Sequence, residues 1–308
     1  MPDKATLSTL SGKPLIQEYA QGRAREATGE IADFIAPTVN TTKHTGKYRV
    51  YNKERRFEIP ETLRGLGGEA TKLRFDRSDA DFNATPHALD VELDNIEVEE
   101  SEGENLLMEA ADEAASLGGM AHEKEVIDTA LASAGSVPAA GAWSNPDVDP
   151  VAAVNQVIVS VLLAAGGGSM LEVGIIIDPN SVIAFFANKN VKSYFPGIAT
   201  IAPTLENMKT LFVGKIVPKI SFLATNVAKP GKAAVMDFVM ADAMLVFARN
   251  GNPTRRDPSF MKSFRPRNRW MIPGTYDRTD GRGQVVKMDW SVDVALTNNE
   301  AGKYIPIS

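Results

Sequence analysis

The stretch that most constrains this chain runs from Leu89 to Ala134, where an acidic, alternating segment leads into one long helical pattern. From Leu89 to Glu99 apolar and acidic residues alternate, the period-two signature of a half-buried strand, and predict a strand over Leu89–Val98. Beyond Ser101 the period changes. Leu106, Ala110, Glu113, Leu117, Met120, Ala121, Ile127 and Leu131 recur at three- and four-residue steps, as on an amphipathic helix. Ser101 with Glu104 has the spacing of a capping box, and the run from Ala134 to Pro138 stops the helix. About thirty residues at 1.5 Å each span roughly 45 Å, which predicts an elongated subunit. Gly118 and Gly119 fall midway, where paired glycines weaken or bend a helix, and are candidate hinge residues.

The 308 residues suffice for one large or two medium domains, with ordinary hydrophobic (44%) and charged (23%) fractions. No window is apolar enough to span a membrane and no signal pattern opens the chain, which reads as an intracellular product. Cysteine is absent, so disulfides, thiolate metal sites and thiol nucleophiles drop out. His44, His87 and His122 are far apart, without ligand spacing, and read as surface or packing residues. No catalytic, metal or cofactor residues are expected. The net charge of −6 disfavours a chain built to grip nucleic acid. It is unevenly spread, acidic over 90–113 and basic over 43–77 and 249–269, a pattern suited to matching between copies of one protein.

Residues 1–13 read as a polar arm, followed by helical patterns at Leu15–Arg25 and Glu30–Ile35, the second closed by Pro37. Residues 46–83 alternate around a glycine-rich tip at Pro60 to Gly68 and predict a long two-stranded hairpin. Such a hairpin is marginal alone in water, so it must lie on its own domain or on a neighbour. Asp149 with Pro150 opens a helix through Leu162, and Gly166–Gly168 end it. Leu171–Ile177 reads as a doubly buried strand, and Asp178-Pro179 caps another helix. A helix after Pro203 and strands at Val213–Leu223 and Ala233–Phe247 complete a mixed section. The tail from Asn250 is β-rich, with turns at Thr279-Asp280-Gly281 and Asn298-Asn299, and is expected to pair with the early acidic strand. Its basic run, Arg255, Arg256, Arg265, Arg267 and Arg269, reads as subunit contact or solvated surface ahead of nucleic-acid binding.

In order and spacing these parts resemble the major capsid proteins of tailed double-stranded-DNA bacteriophages, with the Hong Kong 97-type fold. The resemblance rests on Glu30-Ile-Ala-Asp-Phe-Ile-Ala-Pro-Thr-Val39 and Thr45-Gly-Lys-Tyr-Arg-Val-Tyr-Asn-Lys53, then on Gly67-Gly68-Glu69-Ala70. It continues in Ala142-Trp-Ser-Asn-Pro-Asp-Val-Asp-Pro150 and Asp257-Pro-Ser-Phe260. It implies an α+β chain with an N-terminal arm (1–40), an extended loop (41–85), a peripheral domain with a spine helix (86–145 and 250–308) and an α/β axial domain (146–249). The implied function is self-assembly into the pentamers and hexamers of an icosahedral shell around double-stranded DNA, in the virion and assembled in the host cytoplasm. Partners implied are further copies of the chain, a portal, and scaffolding or decoration proteins, with no sequence-specific DNA contact.

On this reading the basic hairpin (Arg49, Arg55, Arg56, Arg64, Arg74) is expected to lie over a neighbour's acidic strand and spine (Glu97, Glu99, Glu100, Glu102). Two other classes are weaker. An enzyme using Asp178 and Gly166–Gly168 lacks a triad, metal cluster or mononucleotide loop. A nucleic-acid binder acting through Arg249–Arg269 conflicts with the acidic balance.

Overall fold

The computed structural model describes residues 20, 22–24, 26, 31–51, 59, 61–64, 66–72, 78–100, 104–137, 141–166, 171–195, 202–229 and 231–307. The arm over residues 1–13, the capping serine Ser101, and Arg55, Arg56, Arg74 and Glu102 lie outside them.

The chain enters through α1 (Ile31–Ile35), whose apolar residues are buried, and Pro37 ends it as expected. β1 (Thr38–Thr41) follows, then the base of the hairpin, β2 (Thr45–Arg49) against β3 (Asp79–Asn83), antiparallel with Thr45 opposite Asn83. β4 (Thr85–Asp94) starts and ends four residues earlier than the alternation predicts, and α2 (Asn95–Glu100) takes the rest. The cause is local. Asp94 Oδ1 accepts from the Ile96 amide at 2.9 Å, and Glu97 Oε2 accepts from the Asp94 amide at 3.2 Å. This reciprocal cap turns the backbone out of the sheet before the alternation runs out.

α3 (Glu104–Ser133) is the long helix, 30 unbroken residues. It makes three successive contacts. Leu107 and Ala110 meet Leu93 and Val286; Ala114 and Ala115 meet Met271, Met288 and Trp290; Val126, Ile127 and Ala130 enter the largest core cluster. Because that cluster holds the second sheet, the helix ties the two sheets together. After β5 (Gly135–Ser136), Asp149 caps α4 (Pro150–Ala164) through the Val151 and Ala152 amides. β6 (Leu171–Ile177) is buried except at Glu172. Asp178 caps α5 (Pro179–Ala187), then Asn188 caps α6 (Lys189–Ser193).

α7 (Leu205–Thr210) leads to β7 (Ile216–Ile220), β8 (Ala224–Asn226), β9 (Met236–Phe238) and β10 (Ala243–Asn250). The strand read over Ala233–Phe247 is divided into β9 and β10, the one read over Val213–Leu223 is shortened to β7, and β8 with β9 forms a separate hairpin. Before β10, Asp242 adopts φ +49, a left-handed turn that interrupts the ladder. β11 (Met261–Pro266), β12 (Ile272–Asp277), β13 (Gly283–Leu296) and β14 (Gly302–Pro306) complete the tail.

Two five-stranded sheets result. In the first the order is β1-β11-β13-β12, with β4 also along β13, where Gly283 to Val292 pair with Asp94 to Thr85. The expected pairing of the tail with the acidic strand is therefore present. The second runs β5-β14-β10-β6-β7. The last strand does not stay in the first sheet with the other strands of residues 250–308. β14 pairs antiparallel with β10 and parallel with β5, burying Ile305 and Ile307 in the second core. A sheet with β10 at its centre needs a partner on each side, and the C-terminal strand supplies one.

Candidate functional site

Among the described residues, the surfaces left open are the candidates. The hairpin tip is the clearest. Gly67 turns at φ +80, in the region expected to reverse the chain, and Thr71 Oγ1 donates to the Glu61 carbonyl at 2.9 Å across the loop. Around this turn Ile59 is 91%, Leu63 86% and Leu66 109% exposed. Three large apolar side chains on a projecting tip cost hydration free energy that this subunit alone does not recover. The sequence reading took this tip only as a turn. Its signal was present in leucines set among glycines and charges, where turn chemistry asks for none.

Of the predicted basic residues that are described, Arg64 is exposed on this tip, while Arg49 is not a projecting group. Arg49 is half-buried on β2, with its guanidinium 5.0 Å from the Tyr51 ring centre and its amide bonded to the Arg255 carbonyl at 3.1 Å. On the acidic side Glu99 and Glu100 are exposed on α2, and Glu97 serves its own cap. A second open apolar surface surrounds the β8–β9 hairpin, where Phe222, Val227, Val235 and Met236 are exposed.

Arg265 corrects the reading of the basic tail as contact or solvated surface. Arg265 is buried: Nη2 lies 2.8 Å from Asp33 Oδ1 and 2.9 Å from His122 Nε2, and the guanidinium stacks 3.7 Å from the Trp270 ring centre. Arg249 pairs with Glu172 at 3.2 Å and packs over Phe34. These cations brace the fold and are not offered to a phosphate backbone. Arg255, Arg256, Arg267 and Arg269 remain exposed. His122 is a packing histidine, as expected.

Asp178, the carboxylate of the enzyme alternative, is fully buried and accepts from the Ser181 amide at 3.1 Å and the Ala243 amide at 3.3 Å. Its capacity is committed to a helix cap and a strand start, and it faces no ligand space. Among the described residues no three His, Asp or Glu side chains stand together as a metal site, and no helix is long and apolar enough to cross a membrane. A groove of about 560 Å³ is lined by His44, His87, Arg269, Ile272, Asp289 and Trp290 among others. In it His87 stacks on Trp290 at 5.4 Å.

Gly118 and Gly119, the candidate hinge, lie inside the unbroken α3, where both are close-approach positions. Gly118 faces Met271 and Trp290, and Gly119 faces the backbone of Ala24.

No family model and no curated protein match the sequence. Solved structures match the fold. A phage-related protein from Bordetella bronchiseptica RB50 aligns over 94% of this chain and 96% of its own, with TM-score 0.68 and 16% identity. The capsid of the Myoviridae phage XM1 aligns over 87% and 89%, with TM-score 0.54 and 13% identity. A virus-like particle from Pyrococcus furiosus aligns over 94% and 99%, with TM-score 0.51 and 11% identity. Along nearly its whole length, the chain has the fold of tailed-phage capsid proteins, the Hong Kong 97-type α+β architecture.

Proposed function

We propose that this chain is a major capsid protein, whose copies form pentamers and hexamers that close an icosahedral shell around a double-stranded DNA genome. The observation that carries the reading is the agreement of fold with solved capsids over 87% of the chain. The open tip supports it. Ile59, Leu63 and Leu66 gain a cover when the extended loop lies on the next copy, and many such small contacts sum to a stable closed assembly.

In this reading residues 1–40 are an arm and 41–85 the extended loop. Most of the first sheet with α3 is the peripheral domain, and 146–249 with β14 is the axial domain. Arg64, with Arg49, Arg55, Arg56 and Arg74, belongs to the loop that faces a neighbour's Glu97, Glu99, Glu100 and Glu102. Portal, scaffolding or decoration proteins would join the same shell in the host cytoplasm. Negative-stain microscopy and size-exclusion of the expressed chain test the proposal. Rings or shells support it, and a small particle that stays small under every condition overturns it.

A further inference from the structure

Where α3, β11 and α1 meet, three side chains form a chain of contacts from His122 through Arg265 to Asp33. Arg265 can only donate, so His122 Nε2 must present a lone pair at 2.9 Å and its ring proton must sit on Nδ1. Nδ1 stands 3.8 Å from Glu125 Oε2, an ion-pair distance beyond hydrogen-bond range. Thr38 Oγ1 donates to the same Asp33 oxygen at 2.8 Å, fixing the far end. The middle of the site is buried, with His122 2% and Arg265 6% exposed and Trp270 packed against both the imidazole and the guanidinium, while Asp33 and Glu125 at its ends are partly open.

We propose that His122 is an acid-sensitive latch: neutral, it fastens the long helix to β11 and α1 through Arg265, and protonated, it releases them. A second proton at Nε2 removes the acceptor and sets an imidazolium against a guanidinium inside a buried site. On its own helix Glu125 stands on the Nδ1 side of the ring, opposite the Nε2 that meets Arg265, and can receive the new charge. Release therefore has a direction, from Arg265 on β11 toward Glu125 on α3. The other charged groups are Asp33 from α1, which favours the imidazolium, and His87 from β4 and Asp293 from β13, which act on Glu125.

The sign follows from the surroundings. Burial holds His122 below its ordinary value; Glu125 opposes this, Arg265 adds to it and Asp33 opposes it. As pH falls, the opened state takes up the proton before the closed one. The latch is complete above the ordinary histidine value of about 6.5, weakens below it, and stops weakening once the folded value is passed.

Amide hydrogen exchange on the full-length chain tests this, with peptides covering residues 31–41 and 116–127 and correction for the intrinsic pH dependence of exchange. The expected result is an opening that rises by up to about tenfold per pH unit below about 6.5, the slope of one proton. His122→Gln keeps an acceptor for Arg265 and cannot titrate, so its profile is expected to be flat. Glu125→Gln removes a group that favours the imidazolium in the closed state, so the weakening is expected to begin at the same pH and to continue to lower pH before it levels off. A wild type flat down to pH 5, or the same slope in His122→Gln, overturns the proposal. Should His122→Gln not fold, a levelling-off at an unchanged pH in Glu125→Gln overturns it equally. None of these readouts depends on shell formation.

Discussion

Gly119 lies so close to Ala24 that a Cβ there would stand 2.6 Å from the Ala24 carbonyl oxygen and 3.1 Å from its Cα. Its neighbour Gly118 meets only side-chain atoms, Met271 Cε and Trp290 Cζ3, both at 3.3 Å. The paired glycines therefore differ. Gly119→Ala is expected to cost about 1–2 kcal/mol, overpacking less the helix-propensity gain, and to loosen Ala24 from α3. Gly118→Ala is expected to cost less than Gly119→Ala and to lie within about 1 kcal/mol of neutral, since the Met271 end can move and the Trp290 ring has only a few tenths of an ångström to give against the helix-propensity gain. Urea unfolding with limited proteolysis separates the two. Normal shells of unchanged size from Gly118→Ala would also count against a hinge at that position.

The exposed leucines of the tip give a prediction that depends on the proposed function. Leu63→Ser and Leu66→Ser remove apolar surface that touches little in the subunit, so folding stability is expected to change by no more than about 0.5 kcal/mol. Assembly, followed by size-exclusion and microscopy, is expected to weaken or fail. Equal shell yields from wild type and the double variant would show that the tip covers nothing.

Much of this architecture was legible because its signals are local. The long helix, the Asp149 and Asp178 caps and the buried strand at Leu171–Ile177 each follow from spacing within a few residues. The Asp94 and Glu97 cap was local too, but the acidic alternation around it hid a helix start inside a strand pattern. What could not be read is what stands opposite a residue. A dense run of arginines looks like surface until Asp33, His122 and Trp270 are found around Arg265. The crossing of β14 into the second sheet likewise depends on β10 lacking a partner, which no window around Tyr304 reveals.

Lys262 is fully buried, with Nζ 2.7 Å from the Asp257 carbonyl oxygen and 3.2 Å from Asp257 Oδ2. Asp257→Ala strands that charge and is expected to cost about 3–5 kcal/mol, whereas Lys262→Met, which fills the same space, is expected to cost less. Burial already holds the Lys262 ammonium below its ordinary range, and losing Asp257 lowers it further. The unfolded chain then holds the proton more firmly than the folded one, so the Asp257→Ala deficit is expected to shrink as pH rises. Urea unfolding at pH 7 and pH 9 checks both the order of the variants and the sign.

Asn188 holds the segment between the two halves of the chain in place. Its Nδ2 donates to the carbonyls of Trp143 at 2.7 Å, Asn145 at 3.1 Å and Val148 at 3.2 Å, while Oδ1 caps α6 through the Asn190 amide at 2.8 Å. Asn188→Ala leaves the Trp143 carbonyl without this donor and removes the α6 cap, and is expected to cost about 2–3 kcal/mol. Asn188→Asp keeps the cap but points an anionic oxygen at those carbonyls, so at pH 7 it is expected to be the less stable variant. There the environment favours the protonated acid, raising its folded pKa above the unfolded value. The folded state then takes up the proton first as pH falls, and the Asp variant is expected to recover toward pH 5 while the Ala variant does not. Denaturation midpoints of both variants at the two pH values decide it; a parallel response would mean that Nδ2 is not the group holding Trp143.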